Sequence, residues 1–187
     1  VVVPTAVGEA PSCECVFHYF PWAPGESTRH PEEAAEQRSR LHCAASAAGV
    51  ADLRPVAAES GTADKGERRF VCCVRTVSQA LKLLGRRPTD AAEPVIDLLK
   101  IDAEGDEEAV LRGITVADWP RIRQVVMEVH DKDGRLDRVM CLLRAMGLAN
   151  QSIQKQQPCV QDGYLSFVPD SLNLFHVRAA RNDLRGG

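Results

Sequence analysis

The apolar positions of this chain follow two rhythms, short continuous runs and stretches at helical spacing, and the two alternate. Residues 95–101 form a near-continuous apolar run, as do 70–74 and 124–129, which predicts strands covered on both faces. Residues 107–114 place Val110, Leu111 and Ile114 on one helical side. Residues 134–146 repeat Leu136, Val139, Met140, Leu143 and Met146 at the same spacing, with Gly147 as a C-cap. Thr76-Val77-Ser78-Gln79 has the spacing of a capping box, opening a short helix with Leu81 and Leu84 inward and Gly85 at its end. Residues 31–48 are rich in Ala, Glu, Gln and Arg, with Pro31 in the first turn, and predict another helix. Residues 1–6 read as a buried strand leading into Gly8, and 13–20 alternate as its hairpin partner. Two late strands are expected over 164–168 and 172–179. Alternating strands and helices predict a mostly parallel α/β sheet, and the late strands predict an antiparallel edge. Residues 21–28 and 88–94 carry loop chemistry, and 49–68 read as a solvated insertion. Val1-Val2-Val3-Pro4 reads as a strand cut at its start, so an N-terminal truncation is expected.

Composition narrows this picture. One domain spanning 1–187 is long enough to bury a core, and a 44% hydrophobic fraction with only 5% aromatics predicts an aliphatic one. A formal charge of −3 argues against general affinity for nucleic acid or anionic membranes. No apolar run approaches the roughly 20 residues of a membrane span. The seven cysteines are odd in number and scattered, which argues for a reducing, intracellular compartment, with most of them buried as small hydrophobes.

Candidate chemistry gathers at two strand ends. The run 95–101 ends at Asp102, followed by Glu104 and Gly105; the run 124–129 ends in Glu128-Val129-His130. Acids and bases at the carboxyl ends of neighbouring strands are how open α/β sheets build sites. An acid closing an apolar strand is costly to desolvate unless it is paired or used, which singles out Asp102. Glu128 and His130 alternate, so they share a face, and His130 can act as a base oriented by Glu128 or Asp102. The same oxygen-rich cluster can instead hold a divalent cation, in the manner of a metal-dependent hydrolase. Asp106, Glu107 and Glu108 read as first-turn acids complementing the helix dipole. Lys100 alternates with Asp102 and can pair with it. His18, His42 and His176 have no acidic neighbours in sequence and read as surface or edge residues.

The string Leu99-Lys100-Ile101-Asp102-Ala103-Glu104-Gly105-Asp106-Glu107, the later Val125-Val126-Met127-Glu128-Val129-His130-Asp131 and the loop from Phe20 through Trp22 to Ser27 resemble the FkbM family of S-adenosylmethionine-dependent methyltransferases. The resemblance is strong over 96–148 and weak over 44–68, the stretch assigned as a solvated insertion. It implies a Rossmann-like methyltransferase sheet with 95–102 as fourth strand and 124–130 as fifth. It also implies O-methylation of a hydroxyl on a small molecule or natural product. Asp102, Glu104, Glu128 and His130 match family motif positions and are implied as catalytic. Ala6, Gly8 and Asp102 are implied at the cofactor, and Phe20, Trp22 and Ser27 at the acceptor. The Gly-rich cofactor loop of such enzymes has no counterpart among Gly8, Gly25, Gly49, Gly61 and Gly66. Another chain or a preceding segment is therefore expected to complete the sheet. The alternative is a catalytically inactive, methyltransferase-derived interaction module.

Overall fold

The chain forms two principal sheets joined through the turn that follows a short edge strand of the second. The structure is a computed structural model, describing residues 5–21, 27–47, 66–83, 95–156, 159–161, 164–166 and 173–182. The first sheet contains β1 (Ala6–Val7), β2 (Ser12–Tyr19) and β3 (Arg68–Arg75) in the order β1-β3-β2. Strand β1 runs parallel to β3, and β2 runs antiparallel to it. The expected hairpin of the first two strands is therefore corrected: β3 takes the place between them. Helix α1 (Pro31–Ala47) precedes β3, and α2 (Val77–Leu83) follows it. The capping box forms, with Gln79 N donating to Thr76 Oγ1 and Thr76 N to Gln79 Oε1, both at 3.1 Å. Because α1 runs through Ala47 and β3 begins at Arg68, what remains of the 44–68 insertion, like Leu84 and Gly85, lies largely outside the described residues.

The second sheet holds β4 (Leu99–Ile101), β5 (Gln124–His130), β6 (Asn150–Lys155) and β9 (Leu174–Ala180) in the order β4-β5-β9-β6. Strand β4 is parallel to β5, while β9 is antiparallel to both β5 and β6. A small hairpin pairs β7 (Cys159–Gln161) with β8 (Tyr164–Ser166). The architecture is thus α/β with mixed sheets, where the sequence pattern predicts a mostly parallel one. The polar strand β6 carries no apolar run to announce it, yet it adds an antiparallel neighbour.

Helices α3 (Glu107–Arg112) and α4 (Arg135–Ala145) pack against β5, with a 3-10 turn at Trp119–Arg121 between them. Val125, Met127 and Val129 of β5 meet Val110 and Leu111 of α3, Val139 and Leu143 of α4, and Val177 of β9. This buried cluster is aliphatic apart from Trp119, as the low aromatic content predicts. Strand β4 is shorter than expected. Val95 and Leu98 are exposed, and Ile96 makes only an isolated bridge to Ile122. Cys13, Cys15, Cys43, Cys72, Cys73 and Cys141 are free and none of these six is buried, contrary to the expected place of most cysteines in the core. Among the described residues, no helix is long and apolar enough to cross a membrane.

Gly113 sets how closely the first sheet approaches α3. A Cβ there would lie 2.2 Å from the carbonyl oxygen of Gly8, a backbone atom that cannot step aside. Gly8 itself extends β1, its N–H donating to the Arg75 carbonyl at 3.0 Å.

Candidate active site

The turn after β4 builds the site. Glu104 (φ 42°) and Gly105 (φ 103°) are successive left-handed residues. That geometry is costly for a residue with a side chain and persists only where neighbours enforce it. Thr28 supplies one restraint, its hydroxyl donating to the Glu104 carbonyl at 2.7 Å. Thr28 is itself held to β2 by reciprocal backbone hydrogen bonds with His18. The next two residues grip Asp106. Arg29 donates Nε to Oδ2 at 2.6 Å and a second N–H to Oδ1, and His30 Nε2 lies 3.0 Å from Oδ1. Burial disfavours the ionised form of Asp106, but these hydrogen bonds outweigh it and hold its carboxyl at about 2.

Glu104 lines a cleft of about 250 Å³ together with Ala6, Val7, Ser27, Arg29 and Asp102. Burial, reinforced by the like charges of Asp102, Glu107 and Glu128, pushes its carboxyl up to about 7, although the His130 charge pulls the other way. Asp102 stands in a different environment. Its side chain is 40% exposed and pairs with Lys100 at 3.1 Å. The expected cost of desolvating Asp102 does not arise, because its side chain reaches water directly after the buried Ile101; the expected Lys100 pairing does form.

His130, at the end of β5, lies between two acids. Its Nε2 is 3.4 Å from Glu104 Oε2, and its Nδ1 is 2.6 Å from Glu107 Oε1. Glu107 has 0% exposure. Burial works against its charge, but the hydrogen bonds from His130 and from the Gly105 N–H (2.9 Å) hold its carboxyl below the usual value. An ionised carboxylate has no hydrogen to give, so Nδ1 is the donor. Burial opposes the cationic ring of His130, yet Glu107 and then Glu104 raise its proton affinity overall. Arg135 Nη1 donates to Glu107 Oε2 at 3.3 Å and to the His130 carbonyl at 2.8 Å, and its Nη2 reaches Glu33 of α1 at 3.2 Å.

The structure therefore brings Asp102, Glu104, Ala6 and Ser27 to one cleft and joins His130 to it through Glu104. Glu128 is on the His130 face of β5, within the electrostatic reach of Glu104 and 3.8 Å from His176. Glu107, rather than Glu128 or Asp102, orients the His130 ring. Phe20 is buried under the Arg38 guanidinium, 4.7 Å from the ring centre, and Gly8 is buried against Gly113. Trp22 lies outside the described residues. His18 and His176 both have acidic partners, His18 at 2.8 Å from Glu67, which corrects their reading as unaccompanied. The first-turn acids divide. Glu108 pairs on the surface with Arg112 and Arg138, while Asp106 and Glu107 are tied into the site. The periodicity that marks Val110, Leu111 and Ile114 as inward includes Glu107 at i of i, i+3, i+4 and i+7, the one sequence signal for its burial. Among the described residues, no three His, Cys, Asp or Glu side chains are grouped so as to hold a metal ion, which gives the alternative reading of a divalent-cation site no support there.

Comparison with known proteins places these residues in context. The family model described as Methyltransferase FkbM domain matches residues 18–148. The 31-O-demethyl-FK506 methyltransferase FkbM of Streptomyces tacrolimicus is 64% identical over 52 residues, 28% of this chain and 20% of that protein. Methyltransferase sdnD of Sordaria araneosa is 34% identical over 138 residues, 69% of this chain and 46% of its own length. The AMB antimetabolite synthetase AmbE of Pseudomonas aeruginosa is 40% identical over 112 residues, 57% of this chain and 5% of that protein. The matched stretch thus spans less than half of each of these relatives. No solved structure matches the chain.

Proposed function

The chain belongs to the FkbM methyltransferase family, and on that premise we propose that it is an S-adenosylmethionine-dependent O-methyltransferase domain acting on a hydroxyl of a small molecule or natural product. The observation that carries the proposal is Glu104: a carboxylate with a proton affinity near neutrality, at a cleft wall, 3.4 Å from His130. A base poised near the working pH combines adequate ionisation with adequate driving force for taking a hydroxyl proton.

The cleft's chemistry suits part of the cofactor. Its walls carry the Asp102 and Glu104 carboxylates beside apolar Val7 and Val110, a setting that favours a cation on an otherwise apolar body. Its size is at or below the small end of ligand pockets, roughly 300–1,000 Å³, so it suits the charged end rather than the whole molecule. S-adenosylmethionine supplies, when bound, an electrophilic methyl group on a positively charged sulfur. In this proposal Asp102 and Ala6 line the cofactor side of the cleft and Ser27 the acceptor side. Glu104 would accept the hydroxyl proton as the oxygen takes the methyl group, the carbon–sulfur bond breaking to leave a neutral thioether. His130 and Glu128 set the charge Glu104 feels, the first by attraction and the second by repulsion. Positioning does the rest, because holding a hydroxyl in line with the methyl group removes most of the entropic barrier. The inactive-module alternative is not favoured, since the family model is that of a methyltransferase domain and the motif acids Asp102 and Glu104 share a cleft.

Calorimetric titration with S-adenosylhomocysteine, followed by methyl transfer to a panel of hydroxylated acceptors, tests the proposal. Binding with transfer that Glu104→Gln abolishes is the expected result; neither binding nor transfer in the full-length protein overturns it.

A further inference from the structure

Glu107 is the most deeply buried acid of the site, and the hydroxyl-deprotonation scheme makes no direct use of it. Its two oxygens are fully engaged. Oε1 accepts from His130 Nδ1 and the Gly105 N–H, and Oε2 accepts from Arg135. A buried ion pair of this kind is a poor stabiliser of a fold, because apolar side chains of equal volume often do as well or better. What such a pair secures is geometry. An imidazole ring has two nearly equivalent settings about χ2, and only the hydrogen bond at one nitrogen selects between them. Here Arg135 holds the carboxylate and, through the His130 carbonyl, the backbone that carries the ring.

We propose that Glu107 is a positioning residue for the methyl-transfer site, braced by Arg135, which fixes the His130 ring with Nδ1 inward so that Nε2 is presented to Glu104. This rests on the methyltransferase reading for its catalytic meaning, though not for its geometry. The charged groups facing His130 come from every element around it. Glu104 faces it from the turn, Glu107 from α3 and Arg135 from α4. Across a second, polar cleft of about 240 Å³ stand Glu33, Glu36 and Arg40 of α1. Asp131, Lys132 and Asp133 line the same cleft from the loop after β5. Glu128 and Asp102 act on Glu104 in turn, each raising its proton affinity. Acids outnumber bases in this set, and Glu107 and then Glu104 raise the proton affinity of His130 against the cost of its burial.

The test is a nitrogen-resolved NMR titration of the histidine rings, read beside kinetics. In the unmodified chain, His130 is expected to keep its proton on Nδ1 at pH 7 and to titrate above the ordinary histidine value. Glu107→Gln keeps the shape and removes the charge. It should lower the His130 midpoint by at least one pH unit and reduce kcat roughly 10- to 100-fold, with KM for S-adenosylmethionine within about twofold. Glu107→Asp should restore part of both. A folded Glu107→Gln protein with an unmoved His130 titration overturns the proposal. So does an unmodified His130 whose Nδ1 is bare at pH 7, a measurement that decides the matter even if the variants fail to fold. Absence of methyl transfer in the unmodified protein would count against the proposed function alone, because the titration stands without turnover.

Discussion

The end of β4 and the first turn of α3 are adjacent, equally acidic, and physically opposite. Asp102 points outward, 40% exposed, and shares its charge with a lysine that is more exposed still. Glu107, five residues on, has no exposure and answers to a histidine, an arginine and a backbone N–H. Between them the chain reverses through two left-handed residues, and Glu104 sits at the reversal with intermediate burial. The three carboxylates therefore form a gradient. The outer one behaves as a surface group, the middle one is poised near neutrality, and the inner one is locked in its charged form. Burial together with the partners each carboxylate meets, more than residue type or spacing, sorts their chemistry.

Substitutions along this gradient test it. Glu104→Gln should have the largest effect, a fall in kcat of roughly 100- to 10,000-fold in a methyl-transfer assay with folding intact, since the general base is lost. Arg135→Met acts at the inner end. It leaves the Glu107 charge under-compensated, so melting should drop by roughly 6–12 °C, corresponding to about 3 kcal/mol, in differential scanning calorimetry. Asp106→Asn should cost on the order of 2 kcal/mol near neutral pH. The sign follows from its depressed proton affinity. The contribution is full above the unfolded value of 3.8 and is lost as pH falls through about 2. Denaturant unfolding of the two proteins should therefore differ at pH 6 and converge toward pH 2. Asp102→Asn should change stability by less than about 1 kcal/mol and turnover by less than roughly tenfold, because an exposed pair is screened by water. A collapse of turnover there as deep as that of Glu104→Gln would erase the distinction between the outer and middle positions.

Much of this was legible along the chain. The helices at Pro31, Thr76 and Gly134 begin where caps and prolines place them, and α4 buries the residues its spacing marks. Strand β5 runs over the expected residues, and β4 lies beside it. The partner of β2 was not legible, because pairing between segments some fifty residues apart leaves no local trace. Strand β6 was missed because its polar sequence, Asn-Gln-Ser-Ile-Gln-Lys, has no apolar alternation. Arg29 and His30 were missed for a related reason. They sit in a loop without periodicity, and their meaning comes from Asp106, which is distant in sequence.

The sequence by itself determined the secondary elements of the central region, the family, and the short list of acids and histidine from which a site can be built. Local periodicity, capping chemistry and motif identity are properties of neighbouring residues, and a one-dimensional string preserves them. Only the tertiary structure decided which acids His18, His30, His130 and His176 meet, that Asp102 faces water, and that Glu107 lies beneath His130. Those outcomes depend on depth and on distances across the fold, where burial and a partner charge a few ångströms away set the proton affinity of a carboxylate.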